Sequence, residues 1–258
     1  GTLSLGIFSQ TLSSFTLASG TLTASTGILG LTSSLSAFVV QSGTVAATLS
    51  SSASLVKSGA GTVTLAAVNQ YTGVTSVTNG VLSLGINGAL PATAVSISGG
   101  AILNLATTAQ TAGAVTLLDG TIASTTGTLT ATSYAVQSGT ISARLAGSGG
   151  LAKTTNASLT LSGANTFTGG VSVNRGTLIL DLGTSNTGVL AATNALTLTN
   201  NATLVLVGAS SGTSAQTLGN LMVSDRNTVS VGGQLDSGSD VDFYNFDLTM
   251  GQIQRIPG

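Results

Sequence analysis

The sequence lacks cysteine, histidine and tryptophan, and all seven of its acidic residues are aspartate. These absences exclude thiol and imidazole nucleophiles, Cys/His zinc sites and a glutamate acting as general acid. Charged residues make up only 5% of the 258-residue chain, and the six basic residues are scattered singly. A nucleic-acid-binding protein would instead carry a concentrated basic surface. We therefore expect neither an enzyme nor a nucleic-acid partner, and we expect no catalytic residue and no cofactor.

Apolar residues are abundant, but they are aliphatic rather than aromatic. Hydrophobic residues account for 42% of the chain and aromatic residues for 3%, so the core must consist of Leu, Val, Ile and Ala. No apolar run approaches the roughly 20 residues that a membrane-spanning helix needs, and no transmembrane segment is expected. Polar surface comes from 35 Ser and 42 Thr residues. Few charges remain to keep neighbouring molecules apart, which favours self-association.

Internal repetition is the strongest signal in the sequence. The segment VQSGTV at 40–45 returns as VQSGTI at 136–141, an offset of 96 residues that then continues without a gap for about 45 residues. The offset aligns Lys57 with Lys153 and Asn69 with Asn165. Asn residues at equivalent corners favour a role in stabilising turns through their side-chain amides rather than a ligand-binding role.

A finer repeat lies inside this duplication. Turn residues such as Gly61, Gly100 and Gly176 are each followed by alternating apolar and Ser/Thr positions, and such strand starts recur about every 20 residues. A unit this short cannot bury its own apolar face, but stacked units share one core. The pattern predicts an all-β, right-handed parallel β-helix, or β-solenoid, of about twelve coils over residues 1–232. A β-sandwich or a β-propeller fits less well, because sandwich strands rarely repeat in sequence and propeller blades are longer.

Two stretches within the duplication resemble a known family. Residues 57–84, KSGAGTVTL through NQYTG to NGVLSL, and residues 159–180, LTLSGANTFTGG followed by VNRGTLIL, are similar to the autotransporter-associated β-strand repeat. The resemblance implies a right-handed parallel β-helix in a large bacterial protein that is extracellular or displayed on the outer cell surface. In that family the repeat serves folding, export and stalk formation.

The C-terminal part, 233–258, differs in composition from the repeats. The segment GSDVDFYNFDLTMGQ at 238–252 resembles the opening strands of the bacterial pre-peptidase C-terminal β-sandwich, so we interpret 233–258 as an acidic β tail or linker containing an incomplete sandwich. Asp236, Asp240 and Asp242 cluster carboxylates at a turn. Two interpretations stay open: a Ca²⁺ site, since Ca²⁺ prefers oxygen ligands, or a solvated acidic turn at a strand edge.

Two functional hypotheses follow. The first is a structural protein, a subunit or segment of a bacterial surface fibre, stalk or surface layer that stacks head to tail on further copies of itself through open coil edges. The alternative is an adhesin or passenger whose Thr/Ser-rich face binds glycan or a host cell surface. The residues predicted to self-associate belong to the N-terminal strand and to the tail: Gly1, Thr2, Leu3, Ser4, Leu5, Val241, Phe243, Tyr244 and Phe246.

Overall fold

The computed structural model describes residues 1–183, 188–209, 214–224, 227–232 and 253–256. Within these ranges every regular element is a β-strand, and no helix long and apolar enough to cross a membrane is found there. The chain divides into two compact units, Gly1–Thr132 and Ser133–Gly258.

The first unit contains sixteen short strands, most of them three or four residues long. The strands are β1 Thr2–Ser4, β2 Gln10–Leu12, β3 Phe15–Leu17, β4 Thr21–Leu31, β5 Ala37–Val40, β6 Gly43–Leu49, β7 Ser54–Lys57, β8 Thr62–Leu65, β9 Thr75–Val77, β10 Val81–Leu84, β11 Val95–Ile97, β12 Ile102–Asn104, β13 Ala109–Thr111, β14 Ala114–Leu117, β15 Thr121–Ala123 and β16 Thr128–Thr130.

Each strand pairs in parallel with the strand that lies about one turn, or about 20 residues, further along the chain. One sheet of the first unit has the order β1-β4-β6-β8-β10-β12-β15, with β2 also on β4. A second sheet has the order β3-β5-β7-β9-β11-β14, and β13 pairs with β16. Parallel neighbours need a long crossover, and in this chain the crossover is the rest of the turn, which supplies the strands of the other sheets. The unit is therefore a parallel β-solenoid.

The second unit repeats this arrangement. Its strands are β17 Ser133–Val136, β18 Gly139–Ile141, β19 Arg144–Ala146, β20 Leu151–Lys153, β21 Ser158–Leu161, β22 Val171–Val173, β23 Thr177–Asp181, β24 Ala195–Leu198, β25 Thr203–Val207, β26 Asn220–Ser224, β27 Thr228–Gly232 and β28 Ile253–Ile256. One sheet has the order β18-β21-β23-β25-β27 and the other β17-β20-β22-β24-β26-β28, with parallel pairing throughout the described registers.

The solenoid has about nine turns of about 20 residues, so the prediction of about twelve such coils is wrong. The step from one strand to its neighbour is 19 residues between Ser158 and Thr177. It widens to 26 residues between Thr177 and Thr203, and to 25 between Thr203 and Thr228. The prediction counted every strand start as a coil of about 20 residues, whereas the turns that begin at Thr177 and Thr203 are clearly longer than that.

The core consists of aliphatic columns that run from turn to turn. Leu22 is in register with Val45, and Val45 with Leu65. All three are completely buried, while the residues directly before and after each of them in the chain are half-buried. The two-residue alternation in the sequence therefore sets which side chains enter the core, and register is maintained because a slip by one residue would place every apolar side chain outside.

Backbone passes close to backbone at the corners of the turns. Gly80 has a φ of +65°, and a Cβ atom there would lie 2.5 Å from Gly61 O of the preceding turn. Gly88 has nearly the same φ, +67°, but nothing lies within 4 Å of its Cβ position. The two glycines thus separate two requirements: both need the left-handed conformation, and only Gly80 also needs the missing side chain.

Replacing each of these glycines by alanine should separate the two costs. We expect Gly88→Ala to lower the free energy of unfolding by about 1 kcal/mol, from the left-handed backbone alone. Gly80→Ala should lower it by about 2–4 kcal/mol, because the added methyl group also meets backbone that cannot move aside. Urea unfolding followed by far-UV circular dichroism measures both. Equal losses in the two variants would contradict the close packing at Gly80.

Candidate functional site

The buried polar side chains are the most distinctive chemical feature of the described residues. They are Lys57, Asn69, Thr75, Thr108, Gln110, Lys153, Asn165 and Asn194. Burial of a polar group is unfavourable unless it is hydrogen-bonded, so the partners of these side chains show what each one does.

Lys57 occupies an inward position of β7, in the column between Val40 and Val77. Its side chain is completely buried. The ammonium group donates hydrogen bonds to the carbonyl oxygens of Ser58 at 2.9 Å, Gly59 at 2.7 Å and Asn79 at 2.8 Å. All three donors of the ammonium group are therefore used on backbone at a corner, two on its own turn and one on the next.

Lys153 repeats this arrangement in the second unit. It lies in register between Val136 and Val173, is completely buried, and donates to Thr155 O at 2.6 Å and Arg175 O at 3.1 Å. Burial lowers the pKa of both ammonium groups from the ordinary value of 10.5. The carbonyl oxygens act in the opposite sense, because they stabilise the charged form. The two lysines hold corners together by binding backbone carbonyl oxygens.

Amide side chains connect successive turns of the first unit. Asn69 accepts a hydrogen bond from Leu49 N at 3.0 Å and donates to Ala89 O at 2.8 Å, so one side chain contacts the turn before it and the turn after it. Gln110 continues the series by accepting from Leu90 N at 3.0 Å and donating to Ile86 O at 2.7 Å.

The second unit contains the equivalent series. Asn165 accepts from Leu145 N at 2.8 Å and donates to Gly163 O and Val189 O, both at 2.9 Å. Gln216 then accepts from Val189 N at 2.7 Å and donates to Leu190 O at 2.9 Å. These amides satisfy backbone groups that the strands leave unpaired at the bends. We call the four side chains Asn69, Gln110, Asn165 and Gln216 the amide brackets.

Paired aromatic rings fill the core at equivalent places in the two units. Phe38 packs on Tyr71 with ring centroids 6.3 Å apart, and Tyr134 packs on Phe167 at 5.9 Å. All four rings are almost completely buried. The Tyr71 hydroxyl lies 2.6 Å from Thr75 Oγ1, and burial raises the pKa of Tyr71 well above its ordinary value. These rings are packing elements, and none of them forms an exposed platform for a sugar.

The outward surface of the first unit presents a row of hydroxyl groups. Thr21, Thr44, Thr64 and Ser83 are in register on neighbouring parallel strands, with Asn104 following. Parallel neighbours lie about 4.8 Å apart, so the row repeats at that spacing. This row is the part of the described surface that fits the alternative hypothesis of a Thr/Ser-rich binding face.

Only some of the residues predicted to act in function lie in the described ranges. Thr2, Leu3 and Ser4 form β1 and are exposed, whereas Leu5 is buried and Gly1 precedes the strand. The predicted Ca²⁺ ligands Asp236, Asp240 and Asp242 lie outside the described residues, as do Val241, Phe243, Tyr244 and Phe246. Within the described ranges no group of three or more potential metal ligands occurs.

The buried lysines are the residues that sequence reasoning missed. The 96-residue offset aligns Lys57 with Lys153. Because lysine is usually exposed, this alignment gave no reason to expect a core position for either residue. A signal was present: in LVK at 55–57 and LAK at 151–153 the lysine stands two residues after an inward leucine, on the same face of the strand.

Comparison with known protein families supports the repeat assignment. Residues 55–84 and 151–180 each match the passenger-associated-transport-repeat. The two matched segments differ by the same 96 residues as the duplication, and each contains one buried lysine and one amide bracket. The resemblance to an autotransporter passenger repeat is thereby confirmed. A search of curated proteins found no match, and neither did a search of solved structures.

Removing an amide bracket should destabilise the fold far more than removing an exposed amide. Asn165→Ala deletes three hydrogen bonds at a site where the side chain is 4% exposed, and we expect a loss of about 2–4 kcal/mol from backbone groups left unpaired. The matched control is Asn156→Ala at an exposed turn position, which should change stability by less than about 0.5 kcal/mol. Chemical denaturation measures both, and a small effect at Asn165 would contradict the bracket role.

The buried lysines should give stability a specific pH dependence. Their pKa is lowered in the folded chain, so between that lowered value and 10.5 the unfolded chain binds more protons. Stability should therefore rise with pH in this window. Measurement must stop below 10.0, the ordinary tyrosine pKa, because the raised pKa of Tyr71 makes stability fall at higher pH. The double variant Lys57→Met/Lys153→Met should lose the rise; an unchanged pH profile would disprove the assignment.

Proposed function

We propose that this chain, which carries two passenger-type transport repeats in a parallel β-solenoid, is a structural segment of an extracellular bacterial protein. The observation that carries the proposal is the use of its buried polar side chains. Each of the eight buried polar residues in the described ranges hydrogen-bonds to backbone or to another side chain within the fold. The polar side chains of the interior therefore serve to hold the fold together, which is what a supporting segment requires.

The family match supports the extracellular setting. Passenger-type repeats belong to proteins that are secreted or held at the cell surface. A fold that gains its stability turn by turn, with each turn contacting its neighbours, also suits a chain that is extended or shortened by whole repeats. The proposal is for a non-catalytic protein that separates or supports other parts of a surface assembly.

Self-association through the first turn is the more specific part of the proposal. Leu3 is in register with Leu22, yet Leu3 is 49% exposed while Leu22 is completely buried. Ile7 and Phe8, in the same turn, are each 68% exposed. An apolar column with one uncovered side is a surface on which a further β-solenoid turn can add. We propose that a second copy of this chain supplies that turn.

The test compares two charge-introducing variants. Leu3→Lys places a charge in the uncovered column, whereas the control Thr16→Lys places one at an exposed outward position of β3. We expect the wild-type chain and Thr16→Lys to assemble as concentration rises, and Leu3→Lys to stay monomeric, because a buried unpaired charge opposes docking. Sedimentation velocity measures the species, and negative-stain electron microscopy shows whether filaments form.

Other outcomes discriminate the remaining hypotheses. A wild-type chain that is monomeric at every concentration would overturn self-association. Loss of assembly in a chelator, reproduced by changing Asp236, Asp240 and Asp242 to asparagine, would favour Ca²⁺ binding at these residues. Binding of the monomer to a glycan array, lost when Thr44 and Thr64 are both changed to valine, would favour the adhesin. The in-register hydroxyl row is the observation behind that alternative.

A further inference from the structure

The sequence contains two Asn-Gly dipeptides, Asn79-Gly80 and Asn87-Gly88. Such dipeptides are intrinsically prone to one reaction: the amide nitrogen of the glycine attacks Cγ of the asparagine, and ammonia leaves as a cyclic imide forms. Water then opens the imide to aspartate or isoaspartate. The reaction needs no enzyme, oxidant or cofactor. Both asparagines are exposed, so exposure does not distinguish them.

The two dipeptides differ in what holds the reacting atoms. At the first, Gly80 N donates to Oδ1 of Asn79 itself, at 2.7 Å. The nucleophilic nitrogen therefore already lies against the side-chain amide that it would attack. Among the hydrogen bonds of the described residues, the one that Gly80 N donates is this bond to its own neighbour's side chain. An arrangement with reacting groups held in contact lowers the entropic barrier of an intramolecular step.

At the second dipeptide the same atoms are engaged elsewhere. Gly88 N donates to Ala109 O at 3.0 Å, and Asn87 Oδ1 accepts from Ala109 N at 2.9 Å. The two contacts hold the nucleophile and the amide against β13 rather than against each other. Both hydrogen bonds must break before Gly88 N can reach Cγ of Asn87, which adds to the barrier.

We infer that Asn79 is a site of spontaneous deamidation and that Asn87, which is also exposed and also followed by glycine, is protected. The consequence reaches the interior, because the carbonyl oxygen of Asn79 accepts a hydrogen bond from the buried ammonium group of Lys57. When the imide opens to isoaspartate, the backbone runs through Cβ and Cγ and is one methylene group longer, and that carbonyl becomes a free carboxylate. Ageing at Asn79 therefore replaces one of the three neutral acceptors of Lys57 by a carboxylate at a lengthened corner.

The experiment incubates the full chain in mildly alkaline buffer and follows both sites by peptide mapping, with ammonia release as a second readout. Carboxyl methylation by an isoaspartate-specific methyltransferase identifies the product. We expect Asn79 to react roughly thirtyfold faster than Asn87, because two hydrogen bonds of ordinary net strength must break at Asn87. Asn79→Ser should abolish most of the ammonia release, and Asn87→Ser should leave it unchanged.

Two results would overturn the inference. One is reaction at Asn87 as fast as at Asn79. The other is no reaction at Asn79 over a period in which a free peptide spanning 76–83 is converted. Aged chain should also lose stability relative to fresh chain, because isoaspartate lengthens the backbone at a corner where Gly80 packs closely against Gly61 O of the preceding turn.

Discussion

The fold depends on the parallel pairing of each turn with the next. A turn of about twenty residues contributes only a few inward side chains, too few to bury a core by itself, and the aliphatic columns exist only when turns are stacked. Leu22, Val45 and Leu65 belong to three different turns, yet they share one column and are all completely buried. Backbone pairing and apolar burial therefore reinforce one another at every step along the axis.

Corners are the weak points of such a fold, because there the chain leaves the sheet and its backbone groups lose their ladder partners. This chain covers them from the inside with long polar side chains. The amide brackets reach from one turn to the next, and each buried lysine binds carbonyl oxygens at a bend. Corner glycines such as Gly80 let the backbones approach closely enough for these contacts.

These features also account for the duplication as a physical unit. Each matched repeat holds one buried lysine, one amide bracket and one aromatic ring in the core, at positions separated by 96 residues. The ring pair is Phe38 with Tyr71 in the first unit and Tyr134 with Phe167 in the second, so phenylalanine and tyrosine change places. Both units keep the space for two rings, but the hydroxyl group lies on the other member of the pair. Each repeat thus brings its own corner lysine and aromatic ring, and its amide bracket binds backbone of the turns on either side.

By itself, the sequence determined the fold class, the repeat and its resemblance to passenger proteins, because all three rest on local alternation and on periodic recurrence of turn residues. It also pointed to Asn69 and Asn165 as turn-stabilising residues. It overestimated the number of coils, since insertions such as those between Thr177 and Thr228 leave strand starts visible while lengthening the turns. Only the tertiary structure decided that Lys57 and Lys153 are buried, that Gln110 and Gln216 continue the brackets, and that the two Asn-Gly dipeptides are held differently. The burial of the lysines, the brackets and the binding of Asn87 and Gly88 to Ala109 all depend on groups about 20 residues or more away in the chain, which the stacking of turns brings into contact. No local pattern encodes such a contact.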